Sequence, residues 1–237
     1  MADELLLLFD IDGTLLAGAT EAHAAALHAA LREVHGLPAI DRSLVRSYDP
    51  AGRTDPEIAR AILLAHDVSA ERIDARADDV RVATGEIYAR TCPADLSQFV
   101  LPGVPELLGA LAARNDVRLA LVTGNYETIA RVKLRHAGIG HWFAGGPGGF
   151  GSDSEDRTDL PAIARARAAA DGAPPHARER SVVIGDTPRD VACAHADEVR
   201  CIAVETGRFR APELTAAGAD HVAADAAAVG ALIDQLV

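Results

Sequence analysis

The run Leu5-Leu6-Leu7-Leu8-Phe9 ends abruptly in Asp10-Ile11-Asp12-Gly13-Thr14. An uncharged stretch of that length reads as a strand buried on both faces, the condition of a strand inside a parallel sheet. Asp10 and Asp12 then fall at its carboxyl end, where open α/β sheets place their ligands. Two carboxylates crowded at one strand end repel each other, so a cation is expected between them and their surroundings. An oxygen-only ligand set suits Mg²⁺.

Four further runs share the look of the first: Arg118–Val122, Ser181–Gly185, Arg200–Val204 and, more weakly, Asp220–Ala223. Helical patterns separate them, at Val104–Arg114, Glu127–Ala137, Leu160–Ala170, Pro188–Ala196 and Ala226–Leu236. Strands alternating with helices predict a parallel sheet covered on both faces. A strand is also expected near Trp142–Phe150, blurred by Gly145-Gly146-Pro147-Gly148-Gly149. That glycine run lacks the GK[ST] of a P-loop and reads as a flexible connector.

The alternation fails between Ala17 and Leu96. Only helical candidates occur there: Glu21–His35, Asp55–His66 and Ala70–Arg90. Leu27, Leu31 and Val34 form one stripe on the first of them. Leu101-Pro102-Gly103-Val104 then marks the return to the α/β unit. The fold class expected is therefore α/β, a Rossmann-like parallel-sheet core with a helical domain inserted after the first strand. Its core comprises residues 1–16 and 97–237, and its insert residues 17–96.

Asp10-Ile11-Asp12-Gly13-Thr14-Leu15 resembles the DxDGT[LV] signature of the haloacid dehalogenase-like (HAD) superfamily, most of whose members are phosphatases. The other motifs follow in order. Thr123-Gly124-Asn125, after Leu119–Val122, resembles the Ser/Thr of motif II, although such a tripeptide is also an ordinary turn. Gly185-Asp186-Thr187-Pro188-Arg189-Asp190 resembles motif IV, GDxxxD. One Asp there can be a helix cap, but Asp186 and Asp190 are four apart, and a turn brings both toward one cation. In the family, a helical insert after the first strand is a C1-type cap that closes over the site and selects the substrate. The resemblance covers essentially the whole chain.

Motif III of the family is a Lys just upstream of the motif IV strand, and here the sequence departs. The chain's one lysine, Lys133, falls well inside the helix after Thr123. Counted as about ten residues after Thr123 at 1.5 Å each, it would lie roughly 15 Å from that strand end, which assigns it to a solvated face. Arg157 stands where motif III is expected, and a guanidinium can pair with a phosphate oxygen and a carboxylate together. A surface Arg in an acidic loop is the alternative.

Within the insert, Gly52-Arg53-Thr54-Asp55 resembles the specificity loop of C1 caps. Arg53 is expected to meet an anionic group of the substrate, with Thr54 beside it, or else to be exposed in a capped interdomain loop. Asp55 is expected to cap a helix with Pro56 at its first position. His23, His28 and His35 have no metal-ligand spacing and read as surface or filler positions.

The resemblance thus implies a Mg²⁺-dependent phosphatase for a small phosphorylated metabolite. Asp10 would be the nucleophile and Asp12 the general acid and base. Thr123 and Arg157 would hold the phosphoryl group, with Gly124 and Asn125 in the substrate turn. The metal would be held by Asp10, Asp12 through its backbone carbonyl, Asp186 and Asp190. A phosphomutase of the same superfamily, similar to beta-phosphoglucomutase, uses the same motifs and stays open. A phosphoaspartate signalling domain fits less well, because such domains are shorter and lack the insert. A phosphonate hydrolase would need a cap lysine, and the insert has none.

Composition narrows the partners. A net charge of −12 argues against non-specific binding to nucleic acid or an anionic membrane. Three cysteines without CxxC spacing read as reduced thiols, as in a cytoplasmic protein. No apolar stretch reaches 18 residues, so no membrane partner is expected. Monomer and homodimer are both compatible with the sequence.

Overall fold

The computed structural model describes residues 4–40, 48–169 and 173–236. Its strands are β1 (Leu5–Phe9), β2 (Val117–Thr123), β3 (Gly148–Phe150), β4 (Ser181–Gly185), β5 (Arg200–Val204) and β6 (His221–Ala223). They form one six-stranded sheet in the order β3-β2-β1-β4-β5-β6, and every pairing is parallel. This is a Rossmann-like α/β arrangement with β1 at its centre.

Burial on both faces explains the leucine run. Leu5, Leu7 and Phe9 enter one apolar cluster with Val104, Leu108 and Leu111 of α5 (Val104–Ala112) and Val229 and Ile233 of α10 (Ala226–Ile233). Leu6 and Leu8 enter the opposite cluster with Leu160 and Ala164 of α7 (Leu160–Ala168) and Val191 of α8 (Pro188–Ala196). A strand turns alternate side chains to opposite faces, so one charge anywhere in β1 would sit in one of these two cores. The expected end of α7 at Ala170 lies outside the described residues.

The stretch between β1 and β2 is helical: α1 (Glu21–His35), α2 (Asp55–Leu64), α3 (Ala70–Ala75) and α4 (Ala77–Thr91). The single helix expected over Ala70–Arg90 is two. Arg76 leaves helical space at φ −119°, ψ 11°, and α4 restarts with Asp78 and Asp79 at its positive end. These helices build a third cluster, with Leu27, Leu31, Ile62, Leu63 and Tyr88, completed by Ile129 and Val132 of α6 (Glu127–His136). Helix α6 is therefore sandwiched. Its Ala130 and Leu134 face the sheet, and its Ile129 and Val132 face the insert.

The glycine run is not a connector throughout. Gly148 and Gly149 belong to β3, paired with Leu121 and Val122. A Cβ on Gly149 would lie 2.2 Å from the Leu160 carbonyl oxygen, so the strand passes close under α7 only because it lacks one. Among the described residues, no helix is long and apolar enough to cross a membrane.

Candidate active site

The sheet order reverses between β1 and β4, and the candidate residues gather at the carboxyl ends of these two strands. Asp10 N–H donates to Ile184 O at 2.9 Å, which locks the two strand ends together. Asp10, Asp186 and Asp190 are all buried, and each offers an oxygen within 4.8 Å of the others. Arg157 lies against them in a 3₁₀ turn (Arg157–Asp159) before α7. Its Nη2 donates to Asp190 Oδ1 and is 3.2 Å from Asp10 Oδ1.

Asp190 serves two structures at once. Its Oδ2 accepts from Thr187 N–H and Oγ1, while Thr187 Oγ1 accepts from Asp190 N–H, a capping box that starts α8. Its Oδ1 remains for Arg157. Asp186 is walled by backbone. A Cβ on Gly207 would lie 1.7 Å from Asp186 Oδ2, and one on Gly13 would lie 2.2 Å from it. Only glycine permits that approach, and the sequence pattern gave no sign of Gly207.

Charge in this cluster is unbalanced. Three buried acids face one guanidinium. Burial pushes the Asp10 carboxyl up, repulsion from Asp190 and Asp12 adds to this, and Arg157 offsets part of it. Asp186 is raised by burial and by repulsion from Asp190 and Asp10. A divalent cation is the compensation such an all-oxygen set invites. The three carboxylates can therefore hold a metal.

The Asp12 side chain stands apart from this cluster. Its Oδ2 accepts from Asn125 Nδ2 at 2.9 Å, and both its oxygens accept from Lys133 Nζ, at 2.9 and 2.7 Å. Burial works to raise the Asp12 carboxyl, but Lys133, His23 and the two hydrogen bonds outweigh it and hold it below the usual range. Asn125 Nδ2 also donates to Thr123 Oγ1 at 2.7 Å, so the turn after β2 is a closed set of bonds.

Lys133 corrects the sequence expectation. It is fully buried, not on a solvated face. The distance estimate followed the helix axis, whereas helical side chains lean back toward the N-terminus. The sandwiching of α6 then removes the solvent that an isolated helix would offer. His23 and His35 are also buried, which leaves the filler reading and not the surface one for these two. His23 Nε2 is 3.0 Å from Asp55 Oδ2, and its Nδ1 is 3.4 Å from Lys133 Nζ.

The insert loop is seated directly on the turn. Thr54, not Asp55, is the N-cap of α2, accepting from Glu57 N–H. Asp55 is freed to accept from Tyr126 N–H at 2.7 Å, and its own N–H donates to Gly124 O at 2.8 Å. A Cβ on Gly124 would lie 2.1 Å from Arg53 O. Thr54 Oγ1 donates to Glu155 O at 2.7 Å. Arg53 is engaged within its own loop, donating to Tyr48 Oη, Asp49 O and Glu57 and stacking on the Tyr48 ring.

A buried acid triad with its arginine, at the reversal point of a parallel sheet, now stands beside the motif order. The family model for haloacid dehalogenase-like hydrolases matches residues 7–195. The chain belongs to that family.

This haloacid dehalogenase-like hydrolase is 32% identical to a protein named phosphoglycolate phosphatase of Rhodospirillum rubrum, over 94% of this chain and 88% of the other. A hydrolase from Pseudomonas syringae superposes with a TM-score of 0.64 at 20% identity, covering 98% of this chain and 99% of that one. CbbY of Rhodobacter sphaeroides, solved in complex with phosphate, superposes with a TM-score of 0.63 at 23% identity, covering 94% and 95%. These two likenesses are of fold.

Proposed function

We propose that the chain is a Mg²⁺-dependent phosphatase that hydrolyses a small phosphomonoester through an aspartyl-phosphate on Asp10. The observation that carries this reading is the division of carboxylates. Asp10, Asp186 and Asp190 cluster, with Arg157 paired to Asp10 and Asp190, while Asp12 is drawn aside by Asn125 and Lys133. One group is suited to bond-making and cation binding, the other to moving protons.

Asp10 attacks phosphorus and forms an acyl phosphate as the bond to the leaving oxygen breaks. Asp12 takes up a proton as the phosphoryl dianion enters and gives it to that oxygen. Water then attacks phosphorus, Asp12 accepts its proton, and phosphate leaves with the Asp10 carboxylate restored. Thr123 and Arg157 hold phosphoryl oxygens, with the Gly124-Asn125 turn beneath them. Mg²⁺ held by Asp10, Asp186, Asp190 and the Asp12 carbonyl would neutralise charge on the transferring group. Residues 17–96 act as the cap: Thr54 ties its loop to Glu155, and Arg53, held in that loop by Tyr48, Asp49 and Glu57, would meet an anionic substrate by exchanging those contacts.

The first substrate to test is 2-phosphoglycolate, because the 32% identical relative carries that name. Phosphate release from a panel of phosphorylated metabolites, with Mg²⁺ or with chelator, is expected to be metal-dependent. It is expected to fall by about 10⁶-fold in Asp10→Asn, as when an enzyme loses its nucleophile. Turnover that survives that substitution would remove Asp10 from its role. Transfer between a sugar bisphosphate and monophosphate, without phosphate release, would identify the phosphomutase instead.

A further inference from the structure

We propose that Lys133 is the positioning residue that aims the Asp12 carboxyl, an inference that rests on the phosphatase reading above. An ammonium buried without full pairing is costly, and this one is fully buried and fully used. Its donors go to Asp12 at 2.9 and 2.7 Å, to Asn125 Oδ1 at 3.0 Å and to His23 Nδ1 at 3.4 Å. Asn125 turns its other amide atom to the same carboxylate. Lys133 thus braces Asp12 directly and again through Asn125.

The bracing has a chemical consequence. Asp12 is two residues from Asp10 and shares its strand end, yet its carboxylate is not among the three that cluster. Lys133 and Asn125 draw it away from Asp186 and Asp190. A carboxyl held there serves the leaving oxygen and the entering water. One left free would add a further acid to a centre already rich in them. The hydrogen bonds of Lys133 go to Asp12, Asn125 and His23, whereas the cation beside Asp10 is Arg157.

The test reads leaving-group dependence. General acid catalysis is worth about 10²–10⁴-fold when the departing oxygen is basic, and little when it is not. Benzyl phosphate and p-nitrophenyl phosphate are similar in size but leave as an alcohol and an acidic phenol. For Lys133→Met, kcat/KM with benzyl phosphate is expected to fall at least about 100-fold, and with p-nitrophenyl phosphate less than about 10-fold. The loss is expected in kcat, with KM little changed. In an Asp12→Asn background the same substitution is expected to cost under about 3-fold, because a residue that acts through Asp12 has nothing left to act on. That double variant removes the whole ion pair and leaves neither charge unpartnered, so it is the variant to measure where Lys133→Met alone does not fold. Equal losses on both phosphates, or the full loss persisting in Asp12→Asn, would overturn the proposal alone. A wild-type protein that releases phosphate from neither compound nor from any member of the metabolite panel would overturn it together with the phosphatase reading.

Discussion

Asp55, in the first turn of an insert helix, accepts the backbone N–H of Tyr126 at 2.7 Å, at the start of a core helix. The same oxygen lies 3.0 Å from His23 Nε2. One buried carboxylate therefore joins two insert helices to the core just behind the Thr123-Gly124-Asn125 turn. Asp55→Ala would leave the Tyr126 N–H and the His23 ring without this acceptor. Each buried group left unsatisfied costs about 1–3 kcal/mol. Urea unfolding is expected to show that loss, with Asp55→Asn losing less because it keeps an acceptor oxygen. An Asp55→Ala protein as stable as wild type would mean that the insert docks through other contacts.

Arg157 offers one nitrogen to two acids. A lysine there would keep the positive charge beside those acids, on a side chain one atom shorter and without the planar fork. Arg157→Lys is expected to retain phosphatase activity within about 10-fold, while Arg157→Met loses far more. Removing one partner of a buried pair also costs about 3–5 kcal/mol. Chelated Arg157→Met is therefore expected to be the less stable variant by that margin. Activity lost equally in both variants would show that the planar guanidinium itself is required.

Without metal, stability is expected to fall as pH rises from about 5 to about 8. Burial first, then acid–acid repulsion, pushes the Asp10 carboxyl up to about 7 and that of Asp186 up to about 8, from an unfolded value of 3.8. Across that window the folded chain holds protons that the unfolded chain has released. Stability then has a negative slope with pH, and the acids titrate as a unit. Asp12 works in the opposite sense but lower, because its carboxyl is held below 3.8. Its contribution is present above that value and is lost only in strong acid. Urea unfolding in chelator at both ends of the window measures the slope, with Asp186→Asn expected to flatten it. Added Mg²⁺ is expected to stabilise more at pH 8 than at pH 6, where protons compete. Stability that rises with pH in chelator would contradict the crowding of these acids.

The clustered carboxylates were legible because local chemistry announces them. Asp10 and Asp186 each follow a buried apolar strand, where any charge stands out, and Asp190 stands one helical turn beyond Asp186. Arg157 was legible by position in the motif order. Lys133, His23 and Gly207 were not, and the reasons are tertiary. Gly207 matters only because Asp186, far off in sequence, passes within reach of its absent side chain. Asp55 reads locally as a helix cap, but Thr54 fills that role and leaves Asp55 to the Tyr126 N–H.

The sequence by itself determined the sheet, the place of the helical insert and the acids at the strand ends, since these follow from hydrophobic period and from charge at the end of a buried run. Only the tertiary structure decided which polar groups lie beneath the insert. Helix α6 carries Ile129 and Val132 toward one layer and Ala130 and Leu134 toward another. Its lysine is buried only because both layers close on it, and there it meets Asp12, 121 residues away in the chain. Burial is a property of what packs around a residue, and no local pattern encodes the neighbours that a distant segment brings.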